Sequence, residues 1–222
     1  MLKAVIYKEW IKLKWFLIIY VLFALLVTGY IFIKVQHDIA FHEAKNYWYG
    51  ILFQGFLYFK YLKYIPLIGG LVVAIAQFFP ETVNKRIKLT FHLPKDENSM
   101  LLMMMEFGAV CLLLCFTLVF LLFWFLSARF LPAEIISAAV ISIIPWFLAG
   151  FAAYFLVALI ILEPVWLFRF LYFAATCAIL PFFIEPAVSG GYAPLNLKLV
   201  LIVILLSVSL LFSGYRFRKG EM

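Results

Sequence analysis

The chain has 222 residues, of which 68% are hydrophobic and 13% are charged. An ordinary soluble domain is about 45–50% apolar and about 25% charged, so this composition excludes that class and indicates an integral membrane protein. The formal net charge of +7 does not indicate nucleic-acid binding, because the Lys and Arg residues adjoin hydrophobic runs instead of forming a separate polar face.

A membrane-crossing helix needs about 20 apolar residues, so a chain of this length forms one transmembrane domain over residues 1–222. We predict an all-α membrane protein with six transmembrane helices, and an even number places both termini on one side. The six hydrophobic stretches are Trp15–Ile33, Tyr64–Phe79, Met100–Leu126, Ile135–Leu162, Val165–Ile184 and Lys198–Tyr215.

Residues 1–14 precede the first stretch and read MLKAVIYKEWIKLK. Their apolar side chains recur at helical spacing, and the lysines fall mainly on other faces. The apolar set is Leu2, Val5, Ile6, Trp10 and Leu13. This pattern predicts an amphipathic interfacial helix along the inner leaflet, although a plain positively charged flank explains the lysines equally well.

The connection between the first two stretches holds the nearest approach to a metal site, with His37, Asp38, His42 and Glu43. Histidines five residues apart lie about 140° apart on a helix, so we expect a solvated loop and no metal. The aromatic segment Tyr47–Leu62 follows, and its composition is typical of an interfacial or re-entrant segment.

The distribution of Lys and Arg predicts the orientation, since these residues favour the cytoplasmic flanks. With six crossings, twelve of the 18 lie on the side of the termini: Lys3, Lys8, Lys12, Lys14, Lys85, Arg86, Lys88, Lys95, Arg169, Arg216, Arg218 and Lys219. We therefore expect both termini, and the polar segment after the second stretch, in the cytoplasm.

That polar segment, residues 80–99, separates the second and third stretches. Pro80 and Glu81 are predicted to end the second crossing, and Asn98 and Ser99 to start the third. Apolar residues recur every four positions between them, at Val83, Ile87 and Phe91. A loop that only holds topology needs lysines but no apolar ridge, so the ridge favours a short cytoplasmic helix that docks a partner.

Ionisable residues near hydrocarbon are costly and need an explanation. Four lie at the ends of crossings, where they reach the interface: Arg129, Glu134, Glu163 and Arg169. Glu106 differs, because it lies seven residues into the third stretch. We expect a structural ion pair near the cytoplasmic end for Glu106, and transport chemistry is the alternative.

The sequence contains no G-x-x-x-x-G-K-[ST] phosphate loop, no H-E-x-x-H zinc pair and no G-x-S-x-G nucleophile elbow. We therefore expect no catalytic activity from this chain by itself. The start KEWIKLKW, the six crossings, and the insert that opens with Glu81 and runs to Leu93-Pro94 together resemble the permease subunit of ABC-2-type exporters.

The resemblance implies that the insert is a coupling helix, which docks in a cleft of a separate ATP-hydrolysing subunit. It also implies that the N-terminal helix braces the insert. The candidate docking residues are Glu81, Lys85, Arg86, Lys88, His92 and Pro94, with Glu9 and Trp10 in the bracing helix.

The same resemblance implies a unit of two permeases, either identical or different, and two ATPases in a bacterial inner membrane. The resemblance also implies that ATP and Mg belong to the partner subunit, and we expect no cofactor bound by this chain. Membrane lipids surround the unit, and the sequence does not indicate a substrate. Two alternatives remain open: a non-transporting scaffold or assembly subunit, and a lipid-modifying enzyme, which the scattered acidic residues disfavour.

Overall fold

The computed structural model describes residues 2–42, 44–83, 97–184, 191 and 194–219. Within these ranges the chain is helical and has no strand. A 3-10 turn spans Lys60–Tyr64. The α-helices are α1 Leu2–His42, α2 Ala44–Phe53, α3 Ile65–Val83, α4 Glu97–Phe130, α5 Ala133–Leu162, α6 Trp166–Ile179, α7 Pro181–Ile184 and α8 Asn196–Lys219.

Five segments of the described chain are long and apolar enough to cross a membrane, which makes this an all-helical membrane protein. They are Lys3–Phe41, Lys60–Val83, Ser99–Phe130, Ala133–Leu162 and Trp166–Ile184. The sixth predicted stretch, Lys198–Tyr215, lies within α8, Asn196–Lys219. The count of six crossings stays a prediction.

The amphipathic helix predicted for residues 1–14 is not a separate element, because α1 runs unbroken from Leu2 to His42. No Gly or Pro occurs between Lys3 and Thr28, so nothing in the sequence interrupts the helix at Lys14. At 1.5 Å per residue, the 41 residues of α1 span about 60 Å, which is twice the thickness of the hydrocarbon core.

The prediction that Pro80 ends the second crossing is wrong, since Pro80 lies inside α3, which continues to Val83. A proline removes one helical hydrogen bond but fixes a backbone angle that is compatible with the helix. The extra turn keeps Glu81 in the helix and turns its side chain into the bundle, where it is buried.

Helix α5 is the central element, and its largest contact is with α3. A glycine from each helix lies at this crossing: a Cβ on Gly70 would overlap the carbonyl of Gly150, and a Cβ on Gly150 would lie 2.6 Å from the Pro66 oxygen. These two glycines let the backbones approach closely, as small residues do between membrane helices.

The aromatic segment after α2 turns back into the bundle. Gly55 adopts a positive φ of 68°, a conformation that glycine adopts at no steric cost, and the chain then reverses. Phe59 is buried against Phe123 and Trp146, with ring centroids 6.0 and 5.3 Å away. The end of the segment is thus a packed part of the core.

Candidate functional site

A buried polar network joins α1, α3, α4 and α5 at the end of α3 that precedes residues 84–96. Its charged half consists of Lys8, Glu9 and Lys12 from α1 and Glu81 from α3. The Glu81 Oε1 atom lies 2.5 Å from Lys12 Nζ and 2.8 Å from Lys8 Nζ. Lys12 Nζ also lies 2.7 Å from Glu9 Oε1, so one ammonium group joins both carboxylates.

The neutral half of the network continues from Glu9 to α4 and α5. The Gln77 side chain lies beside Glu9, and its Nε2 donates to the Met104 carbonyl oxygen at 2.6 Å. The Tyr154 hydroxyl donates to Gln77 Oε1 at 2.8 Å. Side chains of α1, α3 and α5 and a backbone carbonyl of α4 are therefore linked in one path.

A glycine on α4 makes the space for this path. A Cβ on Gly108 would overlap both the Tyr154 hydroxyl and the amide oxygen of Gln77. Any side chain at this position would displace one of the two groups. Gly108 therefore sets how closely α4 approaches the polar side chains of α3 and α5.

The carboxylates of the network are buried, and their number equals that of the ammonium groups that face them. Glu9, Gln77 and Tyr154 are 0% exposed, and Glu81 is 1% exposed. Two carboxylates face two ammonium groups, of which Lys12 is 16% and Lys8 is 40% exposed. A buried carboxylate is stable only when it is paired and hydrogen-bonded, so the network holds together as a unit.

Each carboxylate of the network faces a lysine ammonium group, so the arrangement is that of a structural link between helices. It fixes the last turn of α3 to the first turns of α1 and, through Gln77 and Tyr154, to the middle of the bundle. A displacement of the last turn of α3 must therefore move the other helices or break buried ion pairs.

The structure brings together two of the residues predicted from sequence, Glu9 and Glu81, through Lys12. Trp10 lies on the opposite side of α1 and is 47% exposed, so it takes no part in this contact. Five further predicted docking residues lie outside the described ranges: Lys85, Arg86, Lys88, His92 and Pro94.

Glu106 lies on the outer side of α4 and is exposed between two small grooves. One groove is lined by Val5 and Ile6 of α1, and the other by Phe155 of α5 and Val208 of α8. Among the described residues, no Lys, Arg or His forms a salt bridge with it. The predicted ion pair for Glu106 is therefore not found in the described part of the chain.

The sequence prediction missed Lys8, Lys12, Gln77 and Tyr154 as members of the site. A local signal exists for part of it: Gln77 and Glu81 are four residues apart on α3, and Lys8 and Lys12 are four apart on α1. Polar residues at this spacing lie on one face of a helix, and in a membrane protein such a face requires a partner.

Comparison with family models, with curated proteins and with solved structures finds no match to this chain.

Proposed function

We propose that the chain is the transmembrane permease subunit of an ATP-driven exporter of the ABC-2 type. It has six crossings with both termini in the cytoplasm of a bacterial cell, and it forms the substrate path with a second permease chain. The observation that supports this best is the ion pairing of Glu81 with Lys8 and Lys12. Glu81 lies two residues before Val83, where α3 ends and residues 84–96 begin.

An exporter subunit of this kind must pass a displacement from a docking segment to its membrane helices. Residues 84–96 connect the end of α3 directly to the start of α4. A partner that moves this insert acts on both helices at once. Through Lys12 the same displacement reaches α1, and through Gln77 and Tyr154 it reaches α5.

The ATP and its Mg belong to the docked ATPase subunit, and this chain contributes no catalytic group. ATP binding closes the two ATPases, and the inserts held in their clefts tilt the helices between inward and outward access. Lys85, Arg86, Lys88 and His92 supply the polar contacts in this proposal.

The experiment measures retention of the ATPase subunit and its ATP turnover. We expect the double charge reversal Lys85→Glu/Arg86→Glu to lose the ATPase from the purified complex or to make its turnover independent of the permease. The matched control is Lys34→Glu/Lys45→Glu, which reverses two lysines before α3 and should leave both readouts unchanged. A Lys85/Arg86 variant that keeps the ATPase and a normal, permease-dependent turnover would exclude the docking role.

A Glu81→Gln variant separates docking from coupling. It leaves residues 84–96 unchanged but removes the negative charge that pairs with Lys8 and Lys12, so the ATPase should still bind while its turnover responds less to the permease. If the chain is instead a non-transporting scaffold, the ATP turnover of the ATPase subunit should not change with this substitution. The enzyme alternative predicts an activity from the isolated chain, which the same preparation without the ATPase would reveal.

A further inference from the structure

A groove of about 440 Å³ opens on the outer surface between α3, α5 and α6. Its floor and walls are apolar, with Phe79 of α3, Ile161 of α5 and the exposed rings of Phe170 and Phe173 on α6. The first residue of α6, Trp166, lies at its mouth and is 70% exposed.

Arg169 is the charged residue that lines this groove. Its Nε donates to the Glu163 carbonyl oxygen at 2.6 Å, and its guanidinium carbon lies 5.3 Å from the centre of the Trp166 ring. These two contacts hold the guanidinium near the mouth. Among the described residues, no carboxylate lies within salt-bridge distance of it.

The residues of α6 that line the groove change from polar to apolar along the helix. The cation and the Trp166 indole lie in the first turn, and Phe170 and Phe173 follow one and two turns deeper. Tryptophan is enriched at the membrane interface, and a basic pocket between membrane helices is a site for anionic headgroups. The groove thus presents a positive group at the surface and an apolar channel beneath it.

We propose that this groove binds one anionic phospholipid, with the phosphate on Arg169 and an acyl chain along Phe170 and Phe173. A free phosphate would use Arg169 but none of the apolar wall. A second copy of the chain, packed on this face by a two-fold axis, would bring two Arg169 cations together without an anion. The inference does not depend on coupling to an ATPase.

The test uses the fluorescence of Trp166 in nanodiscs of the full chain. Phosphatidylglycerol or phosphatidylcholine with brominated acyl chains serves as the quencher, and the Trp166→Phe variant is subtracted to isolate the signal of this indole from the six tryptophans. One basic contact near an anionic headgroup corresponds to a preference of about fivefold for the anionic lipid. We expect that preference in the native chain, unchanged by added inorganic phosphate.

Arg169→Gln should remove the preference, and Arg169→Lys, which keeps the charge, should retain at least half of it. The matched control is Arg129→Gln, at the end of α4, which should leave it intact. Equal quenching by the two lipids would overturn the proposal, and so would competition by phosphate. Weak quenching by both lipids, which is expected if a second copy of the chain covers the groove, would also overturn it. So would a preference that survives Arg169→Gln or is lost in Arg169→Lys.

Discussion

Replacing Lys12 with methionine tests whether the polar network holds the bundle together. The substitution keeps most of the aliphatic volume of the side chain but removes the ammonium group that joins Glu9 to Glu81. Glu81 retains Lys8 at 2.8 Å. Glu9 loses its ion pair and stays buried, with Gln77 beside it.

The expected cost is that of an uncompensated buried carboxylate, about 3–5 kcal/mol in the free energy of unfolding. The double variant Lys12→Met/Glu9→Gln removes the orphaned charge and leaves Glu81 paired with Lys8. It should recover at least about 2 kcal/mol relative to Lys12→Met, a non-additivity typical of residues in one ion-pair network.

The assay is reversible unfolding in mixed detergent micelles, followed by the far-UV circular dichroism of the helices. Lys14→Met is the matched control, because Lys14 lies 5.7 Å from the Trp15 ring centroid and makes no salt bridge within the described residues. It should cost less than about 1 kcal/mol. The reasoning would be refuted if Lys12→Met lowered the free energy of unfolding no more than Lys14→Met does. Strictly additive effects of Lys12→Met and Glu9→Gln would also refute it.

Two further predictions use the same unfolding assay. Gly150→Ala places a methyl group 2.6 Å from the Pro66 oxygen and should lower the free energy of unfolding by about 1–3 kcal/mol. In the control Gly29→Ala the methyl group meets nothing within 4 Å, so this variant should be neutral or stabilising. Equal effects at the two glycines would contradict the close helix crossing. Tyr154→Phe leaves Gln77 Oε1 without its 2.8 Å donor and should cost about 1–3 kcal/mol, and an unchanged stability would show that this hydrogen bond is dispensable.

The membrane-spanning helices were largely predictable, because each long apolar run has to form its hydrogen bonds internally as a helix. The stretch predicted at Ile135–Leu162, for example, lies within α5, Ala133–Leu162. The boundaries were less predictable. Pro80 was expected to end a helix, but the burial of Glu81 against the lysines of α1 stabilises one more turn.

The candidate site was predictable only in part. Glu9 and Glu81 were selected through a family resemblance, and no local pattern indicated that they lie near each other. Their meeting depends on the rotation and depth of α1 relative to α3. The close approach of Tyr20 on α1 to Gly69 on α3, where a Cβ would lie 2.5 Å from the tyrosine ring, helps to set both. Glu9 and Glu81 are joined through Lys12, which lies 69 positions before Glu81, so no periodicity within one helix reports the contact.

The continuity of α1 has a geometric consequence. The ion pairs lie near its start, at Lys8 and Lys12, and His37 lies near its other end. At a rise of 1.5 Å per residue, His37 is about 44 Å beyond Lys8 along the helix. A rigid rod pivoting by about 5° at the salt bridges would carry the His37 end through about 4 Å. The length of α1 thus converts a small rotation at one end into a displacement of several ångströms at the other.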